Sequence, residues 1–479
     1  MDTYYFLDRG VLMPQRMENV RLQVKPIVKD EANNPLFTED FFADPPRRWE
    51  VRYDNAYPNV IYDPEYEKFR CYYTLCTRDE DAASAGKAER ARRDYRPTPG
   101  RIASLGYAES DDGVHWVKRS LGLVEFEGSR DNNLLFRYAH GTGVFLDELE
   151  QDPARRYKLV TKVEYPGGRS FMAVNFSRDG VHWGEMRPWP KGNPPADSHN
   201  YPFRDRRDGL FKVITRTWRD GVRVSSICES GDFLNWSAPR EILRGNGFED
   251  QVYSMPVFWA DGLYLGLASI FHEGDRAAPD FDLVDCELAW AYAADRFNRA
   301  APGDHVIPRG PGRYPDGAFD CGCIYAAPPF EKDGKVWVYY MGGNGRHTNF
   351  RETSLGRGFW EKGRYACYTV RDTRREGVLW TALCTAAGDS LEVLADVDEG
   401  GHLTAALFDR EGREVPGYGF ADCRLLPQPG GYTRVRFEGG ALMDLDTTAV
   451  SLVLRFQGAQ LYAMRGGLSL LRRRGYDGA

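Results

Sequence analysis

Acidic and histidine side chains stand just before five separate apolar runs of this sequence. Together with two neighbouring amides, these candidates are Asp54, Asn55, His140, Asp197, His199, Glu249, Asp250, Gln251, Asp316 and Asp320. A carboxylic acid beside a carboxylate supports acid-base or nucleophilic chemistry, because burial and like charge raise one pKa and leave the other low. Histidine adds a group that titrates near neutral pH. These residues form one site only if the fold brings the five positions together.

We assign the catalytic roles to four of the carboxylates. Asp54 is expected to act as base or nucleophile and Glu249 or Asp250 as the acid, with Asp197 as the fourth candidate. The residues expected to contact substrate are Asn55, His140, His199, Gln251, Asp316 and Asp320. The competing interpretation is that each caps a turn or completes an internal hydrogen bond. For Asp316, within Tyr-Pro-Asp-Gly, the turn is favoured.

A hairpin repeated five times indicates how these positions could meet. Each unit is an apolar strand, a turn that often contains Asp-Gly or Asp-Pro, and a second strand rich in aromatic and basic residues. The five units are Asn59–Tyr73, Gly143–Val160, Tyr201–Ile214, Pro256–Leu267 and Ile324–Tyr340.

A second, outer hairpin with the pattern Ser-x-Asp-x-x-x-Trp follows some of these units. It occurs at Ser110–Trp116, Ser177–Trp183 and Ser230–Trp236. Because a turn that recurs in several units cannot be one unique site, we interpret it as structural. Four-stranded sheets repeated around an axis form a propeller. We therefore predict an all-β chain with a five-bladed β-propeller over residues 1–372, whose loops before the first strands converge on one axial funnel.

Other segments complete this architecture. Tyr365–Arg371 is expected to be the outer strand of the fifth blade, and Val20–Val24 to pair with that blade and close the ring. The charged insertion at residues 78–101 is either a solvated loop, which its charge favours, or a segment that overhangs the funnel, which its position favours. Residues 375–479 lack the repeat and predict a separate C-terminal β-sandwich.

Composition limits the possible partners. The 63 Lys and Arg against 70 Asp and Glu leave a net charge of −7, which argues against nucleic acid or an anionic membrane as the main partner.

No apolar run approaches the roughly 18 residues that cross a bilayer. The N-terminus lacks the pattern of a secretory signal, so we expect a cytoplasmic protein. The nine cysteines lack zinc-type spacing, and we predict neither a metal nor another cofactor.

Three segments carry a resemblance to a known group of enzymes: Asp54–Pro64, which enters the first blade, Tyr107–Trp116 and Gly122–Asn133. The chain resembles the glycoside hydrolase superfamily that includes families 32, 43 and 68, and it looks most like the family-32 N-terminal-like proteins. The resemblance implies a nucleophilic or basic Asp at the start of blade one, a stabilising Asp in blade two and an acidic Glu in blade three. Asp54 matches the first role. The second blade offers His140 instead of a carboxylate, and the third offers Asp197, with Glu249 one blade later.

These features predict an enzyme that hydrolyses a glycosidic bond in an oligo- or polysaccharide by carboxylate acid-base catalysis. Other possibilities stay open: a glycan-binding propeller without catalysis, and a sugar lyase or phosphorylase on the same scaffold. Phosphorylase ranks lowest because an acidic funnel without an arginine cluster does not favour phosphate.

Overall fold

The protein is described by a computed structural model covering residues 2–471, and these residues form an almost entirely β-structure. The prediction of an all-β chain is therefore confirmed. Helical structure is limited to short segments at Arg9–Val11, Pro14–Arg16, Glu80–Ser84, Lys87–Arg90, Pro153–Arg155, Pro429–Gly431 and Leu442–Asp444. Among the described residues, no helix combines the length and apolarity needed to span a membrane.

Three antiparallel sheets follow one another in the first half of the chain. Sheet one contains Asn59–Asp63, Lys68–Arg78, Ile102–Ser110 and Trp116–Val117, with Leu134–Arg137 added on Ile102–Ser110. Sheet two contains Ala139–Leu146, Tyr157–Glu164, Ser170–Ser177 and Arg187–Pro188. Sheet three contains Tyr201–Arg204, Phe211–Arg219, Val222–Ser230 and Arg240–Leu243.

Two further sheets share one parallel contact, between Val284 and Cys323. Sheet four contains Gln251–Ser254, Val257–Ala260, Leu263–Phe271, Val284–Ala291 and Asn298–Arg299. Sheet five contains Cys323–Ala326, Phe330–Lys332, Lys335–Gly343 and Thr353–Glu361, and its outer edge is formed by Val28–Lys29 and Phe37–Thr38.

The first strands of neighbouring sheets lie against each other. Thr142 of sheet two pairs in parallel with Asn200, which enters sheet three. The Asn59 side chain in sheet one donates to the carbonyl of Thr142 at 2.8 Å. A Cβ atom placed on Gly143 would lie 2.0 Å from the carbonyl oxygen of Asn200. This approach is possible only because Gly143 lacks a side chain, so the glycine allows the two sheets to meet.

The outer hairpins are held by their own side chains. In the first, Ser110 Oγ accepts from the amide of Gly113 at 2.9 Å, and Asp112 accepts from the amides of Val114 and His115 at 2.8 Å each. Asp179 and Asp232 accept from their turn amides in the same pattern. The predicted structural role of these turns is confirmed, since their Ser and Asp groups cap backbone amides.

A larger sheet forms the C-terminal part of the structure. Its strands are Thr3–Tyr5, Val20–Val24, Ala366–Val370, Gly377–Trp380, Glu392–Phe408, Cys423–Pro427, Tyr432–Phe437 and Ser451–Arg465, and Cys384–Ala386 pairs separately with Leu468–Leu470. The two longest strands, Glu392–Phe408 and Ser451–Arg465, pair along their length with register shifts near Leu394 and Val397. Fully buried apolar residues such as Leu407, Leu454 and Leu461 pack in its core.

The predicted pairing of Val20–Val24 with the segment Tyr365–Arg371 is observed, but the sheet predicted for both segments is wrong. Val20–Val24 pairs with Ala366–Val370, and Tyr368 pairs with Leu461, so both segments belong to the C-terminal sheet rather than to sheet five. Tyr368 and Val370 bury their side chains in that core, whereas Ala366 and Cys367 of the same strand pack with residues of sheets four and five. The short strands Val28–Lys29 and Phe37–Thr38 cover the edge of sheet five instead.

Candidate functional site

Asp54 lies in a strained turn that leads into sheet one. Its φ is 55°, and Ala56 and Tyr57 have φ values of 57° and 43°. Residues other than glycine rarely adopt this left-handed region, and surrounding contacts must maintain it. Two such contacts are hydrogen bonds from the Thr74 amide to the Ala56 carbonyl at 2.6 Å and from the Thr353 hydroxyl to the Asp54 carbonyl at 3.0 Å. The turn is therefore held by sheets one and five together.

Three arginines surround the Asp54 carboxylate. Its Oδ1 accepts from Arg351 Nη2 at 2.7 Å and from Arg52 Nη2 at 3.1 Å, and Arg101 Nη1 lies 3.8 Å from Oδ2. Burial opposes ionisation of Asp54, but the three guanidinium charges outweigh it and hold its pKa well below the usual range. Asp54 is thus an ionised carboxylate, and 26% of its side chain remains exposed.

A cavity of about 330 Å³ opens beside Asp54 and contains a second carboxylate, Glu164. Other polar or aromatic side chains that line it include Tyr57, Arg101, His140, Tyr165 and Arg169. Glu164 was not among the predicted site residues. It ends the strand Tyr157–Glu164, directly before a Tyr-Pro-Gly-Gly turn. In a propeller, the loop between the second and third strands of a blade lies at the same end as the loop before its first strand. Glu164 stands at the start of such a loop, and this position is the signal that could have identified Glu164 from the sequence.

Glu164 is held by two basic side chains. Its Oε2 lies 2.7 Å from His140 Nδ1, and its Oε1 lies 2.6 Å from Lys162 Nζ. Burial opposes ionisation of Glu164, but the hydrogen bond from His140 and the charge of Lys162 lower its pKa to about 2. Because an ionised carboxylate can only accept, we assign the proton of this bond to Nδ1. The Nε2 atom of His140 is the ring nitrogen that Glu164 does not engage.

The insertion at residues 78–101 reaches this site. Arg101 belongs to it, and Tyr95 donates from its hydroxyl to Asp79 Oδ2 at 2.7 Å. The Arg52 guanidinium lies 4.2 Å from the centre of the Tyr95 ring. Residues of the insertion thus contact both Asp54 and the arginine that binds Asp54, and its position over an axial funnel stays a prediction.

Asn55 supports the Asp54 turn through hydrogen bonds. Its amide nitrogen donates to the Tyr57 hydroxyl at 2.8 Å and to the Tyr253 hydroxyl at 3.3 Å, and its oxygen accepts from Arg351 at 2.6 Å. With 3% of its surface exposed, Asn55 has its amide occupied by protein groups. Asn55 also lines the cavity beside Asp54, so it positions Asp54 and Tyr57 while its predicted substrate contact stays a prediction.

His199 is also internal. Its Nε2 lies 2.9 Å from the Asn59 side-chain oxygen, and its ring stacks with Tyr57 at 5.9 Å. Burial lowers the pKa of His199 to about 3, so the ring is neutral at ordinary pH. The predicted substrate contact is replaced by a core hydrogen bond, because the imidazole is enclosed between sheets one and three.

Asp197 forms an ion pair with Arg216 and does not line the Asp54 cavity. Arg216 is 3% exposed and lies 4.5 Å above the Tyr253 ring. Its Nε and Nη1 atoms have no hydrogen-bond partner among the described residues. Asp197 is therefore engaged by Arg216 and does not share the cavity of Asp54.

The residues expected to supply the acid lie outside the Asp54 cavity. Asp250 is bound by Arg299 at 3.1 Å and lies 3.2 Å from His272 Nδ1. The side chain of Gln251 is buried between Arg223, at 2.9 Å, and Glu273, at 2.6 Å. Asp250 and Gln251 thus hold the loops of sheet four together.

Glu249 is exposed and forms no ion pair within residues 2–471. Asp316 is exposed on a turn, as the alternative interpretation expected. Asp320 is 2% exposed and is enclosed by Lys29 Nζ at 2.6 Å and the Tyr340 hydroxyl at 2.9 Å. None of the three lines the Asp54 cavity, so the predicted acid and substrate-contact roles are not supported there.

The surroundings of Asp54 are basic where an acidic funnel was expected. Arg52, Arg101 and Arg351 contact the carboxylate, and Arg169 lines the same cavity. Arg169 forms no ion pair within the part of the chain that the structure describes. In the same part, no group of three or more His, Cys, Asp or Glu residues is placed to hold a metal ion.

No protein-family model matches the sequence, and no curated protein matches it. Several solved structures are similar in shape. One is described as showing that the GH130 family of mannoside phosphorylases contains glycoside hydrolases that target beta-1,2 mannosidic linkages in Candida mannan. It has 13% identity and a TM-score of 0.46, over 73% of this chain and 96% of that one.

Two further structures are glycosidase-like by their descriptions. A putative glycosidase from Bacteroides thetaiotaomicron has 17% identity and a TM-score of 0.45, over 69% of this chain and 96% of that one. A thermostable family-43 glycoside hydrolase has 14% identity and a TM-score of 0.40, over 66% of this chain and 92% of that one. These solved structures that resemble the chain are thus glycoside hydrolases or related proteins.

Proposed function

We propose that the protein is a carbohydrate-active enzyme that cleaves a glycosidic bond in the cavity beside Asp54. The observation that carries this proposal is the cavity itself, in which two ionised carboxylates, Asp54 and Glu164, lie with the histidine that Glu164 binds. The five sheets, meeting at their first strands, form the blades of a five-bladed propeller with this cavity at one end of its axis. The C-terminal sheet folds as the accompanying β-sandwich.

Asp54 acts on the sugar carbon. Glycoside cleavage develops positive charge at the anomeric carbon, and a nearby carboxylate stabilises that charge or attacks the carbon. The arginines around Asp54 keep it ionised, which suits either role. They also make Asp54 a weak base, so we assign it to charge stabilisation or nucleophilic attack instead of proton abstraction.

His140 transfers the proton. In its protonated form, Nδ1 donates to Glu164 while Nε2 gives its proton to the departing glycosidic oxygen as the C–O bond breaks. A water molecule then adds to the sugar carbon and returns a proton to Nε2. Glu164 touches His140 and orients its ring, so it acts through the histidine. This arrangement replaces the carboxylic acid that the sequence predicted at Glu249 or Asp250.

A glycan screen tests the proposal. The wild-type protein is incubated with a panel of oligo- and polysaccharides, and products are identified by mass spectrometry. Asp54→Asn is expected to lower turnover by at least about 10³-fold, whereas Asp316→Asn, which removes an exposed carboxylate, is expected to keep it. Full activity in Asp54→Asn would contradict the assignment. Binding without product would indicate a glycan-binding module, and an absorbing unsaturated product would indicate a lyase.

Phosphorolysis is the second candidate, and the arginines of the cavity favour it. Arg101 and Arg169 line the space beside Asp54, and guanidinium groups bind phosphate through paired hydrogen bonds. In this reaction inorganic phosphate, instead of water, adds to the sugar carbon and yields a sugar phosphate. Running the same screen with and without phosphate separates the two reactions. Phosphate-dependent release of a sugar 1-phosphate supports phosphorolysis, and phosphate-independent release of free sugar excludes it.

A further inference from the structure

A second, larger cavity of about 1120 Å³ lies beyond the Asp54 site. Its walls come from the insertion at residues 90–94, from residues 276–283 of sheet four, from the segment 305–314 and from the loop 344–350 of sheet five. Seven arginines line it, and Asp94 is the single carboxylate among its lining residues. In a chain with a net charge of −7, this is a local reversal of charge.

Three of these arginines are used by the protein itself. Arg93 binds Asp81 at 2.9 Å and Glu89 at 2.8 Å, and Arg309 binds Asp285 at 2.7 Å. Arg90 donates to the backbone carbonyl oxygens of Ala82 and Ala85. These contacts build the wall of the cavity and leave little of their donor capacity for a ligand.

The other four arginines keep their hydrogen-bond donors for a ligand, although the Arg346 guanidinium also lies 5.9 Å from the centre of the Phe281 ring. The side chains of Arg92, Arg276, Arg313 and Arg346 are exposed and form no hydrogen bond or ion pair with any residue of the described range 2–471. Asp94 forms no ion pair with any of them within the described residues, and its carboxylate accepts from Asn349 Nδ2 at 2.6 Å. Its single negative charge leaves the lining with an excess of positive charge. Four unpaired like charges around one concave space repel each other, and they attract an anion into that space.

We propose that this cavity binds the acidic groups of a charged oligosaccharide, either carboxylates or sulfates. The inference rests on the proposed action on glycans and names the class of substrate. Guanidinium groups match both anions with paired, charge-assisted hydrogen bonds. The volume exceeds what one anion needs and lies slightly above the range of typical small-molecule sites. The cavity therefore accommodates an extended ligand with more than one charge.

The position of the cavity connects it with the Asp54 site. Asn349 lines the cavity, and its carbonyl oxygen accepts from Arg52 Nη2 at 3.4 Å. Arg52 also binds the Asp54 carboxylate, at 3.1 Å. A glycan held by the free arginines thus lies next to the loop that supports the proposed catalytic carboxylate, as a neighbouring part of the same substrate would.

The lining disfavours a single-stranded nucleic acid as the ligand. Nucleic acids of that kind are bound by exposed aromatic faces on which bases stack. The aromatic residues of this cavity are Tyr314 and Phe350, and Phe350 is 3% exposed. A cavity lined by arginines but with few exposed aromatic faces suits an acidic, hydroxyl-rich glycan better than a single-stranded nucleic acid.

Binding of polygalacturonate to the Asp54→Asn protein tests the proposal, because this background blocks the proposed turnover. Fully methyl-esterified polygalacturonate is the neutral counterpart, with the same sugar backbone. Dextran sulfate and unmodified dextran form the second pair and distinguish sulfate from carboxylate recognition. We expect binding of at least one acidic polymer, with no binding of its neutral counterpart, and weaker binding as ionic strength rises.

Charge-matched variants locate the site. The double variant Arg276→Gln with Arg346→Gln is expected to raise the Kd of the acidic polymer by about ten-fold. The control Arg178→Gln with Arg410→Gln removes the same charge from exposed arginines elsewhere that form no ion pair within residues 2–471, and it is expected to leave the Kd within about two-fold. Equal losses in both variants, equal binding of the neutral polymers, or no binding to either acidic polymer would overturn the proposal. Failure of catalysis alone would not, since binding is measured without turnover.

Discussion

Glu164 Oε2 lies 2.7 Å from Nδ1 of His140, and both residues line the cavity that contains Asp54. This pair gives the pocket a histidine whose ring is held in one orientation by an ionised carboxylate. It also supplies a proton-transfer group that the carboxylates before the first strands do not provide.

Glu164→Gln is expected to lower kcat by about 10–100-fold with little change in KM, because the amide holds the His140 ring less firmly and without charge. His140→Gln is expected to cost more, about 10²–10⁴-fold. Steady-state kinetics on the glycan found in the screen measures both. Partial recovery in Glu164→Asp is the expected sign of a positioning role.

Glu399→Gln is the control for this series, since Glu399 is exposed in the C-terminal sheet and outside the cavity. A kcat for Glu164→Gln that equals that of Glu399→Gln would show that the carboxylate does not act through His140.

Removing Arg101 and Arg169 together tests whether the cavity uses phosphate. If it does, Arg101→Gln with Arg169→Gln is expected to raise the KM for phosphate by about ten-fold or more, because two guanidinium donors are lost. Release of sugar 1-phosphate is the measurement, and a KM as low as that of Arg178→Gln with Arg410→Gln would exclude a phosphate-binding role.

The low pKa of the buried His199 predicts that the folded protein loses stability in acid. Its pKa is about 3 in the folded protein and ordinarily 6.5. Between these values the unfolded chain binds a proton that the folded chain excludes, so the free energy of unfolding falls as pH decreases. The slope from this group reaches at most about 1.4 kcal/mol per pH unit.

Chemical denaturation of the wild type and of His199→Gln across this pH window measures the contribution of His199. The stability advantage of the wild type is expected to shrink steadily as pH decreases. A constant difference between the two proteins would mean that His199 accepts a proton while folded, and its assignment to the core would be wrong.

A substitution at Gly143 tests whether the first strands of sheets two and three approach each other closely. A Cβ at this position would lie 2.0 Å from the Asn200 carbonyl oxygen, so Gly143→Ala is expected to lower the free energy of unfolding by about 3 kcal/mol or more. At Gly231 a Cβ would meet no atom within 4 Å, and Gly231→Ala is the matched control. Denaturant titration of both variants gives the comparison, and equal stability would show that the two first strands do not approach each other this closely.

Local features of this protein were predictable because they depend on neighbours along the chain. The Ser-x-Asp turns at Ser110, Ser177 and Ser230 bond their own amides, and alternating apolar residues marked the hairpins around them. Asp54 could be singled out for the same reason, since it directly precedes the first inner strand. The pairing of Val20–Val24 with Ala366–Val370 was also expected, but its place in the C-terminal sheet depends on the pairing of Tyr368 with Leu461, 93 residues further along the chain.

The sequence by itself determined the β-structure and the repeated hairpins, and it singled out the turn at Asp54 as a candidate site. Only the tertiary structure decided which charges face that turn. Arg351 binds Asp54 although 297 residues separate them, and Glu164 joins the cavity from another sheet. Electrostatic interactions depend on distance in space. Counting acids before the first strands therefore predicted an acidic funnel, whereas the folded chain surrounds its central carboxylate with arginines.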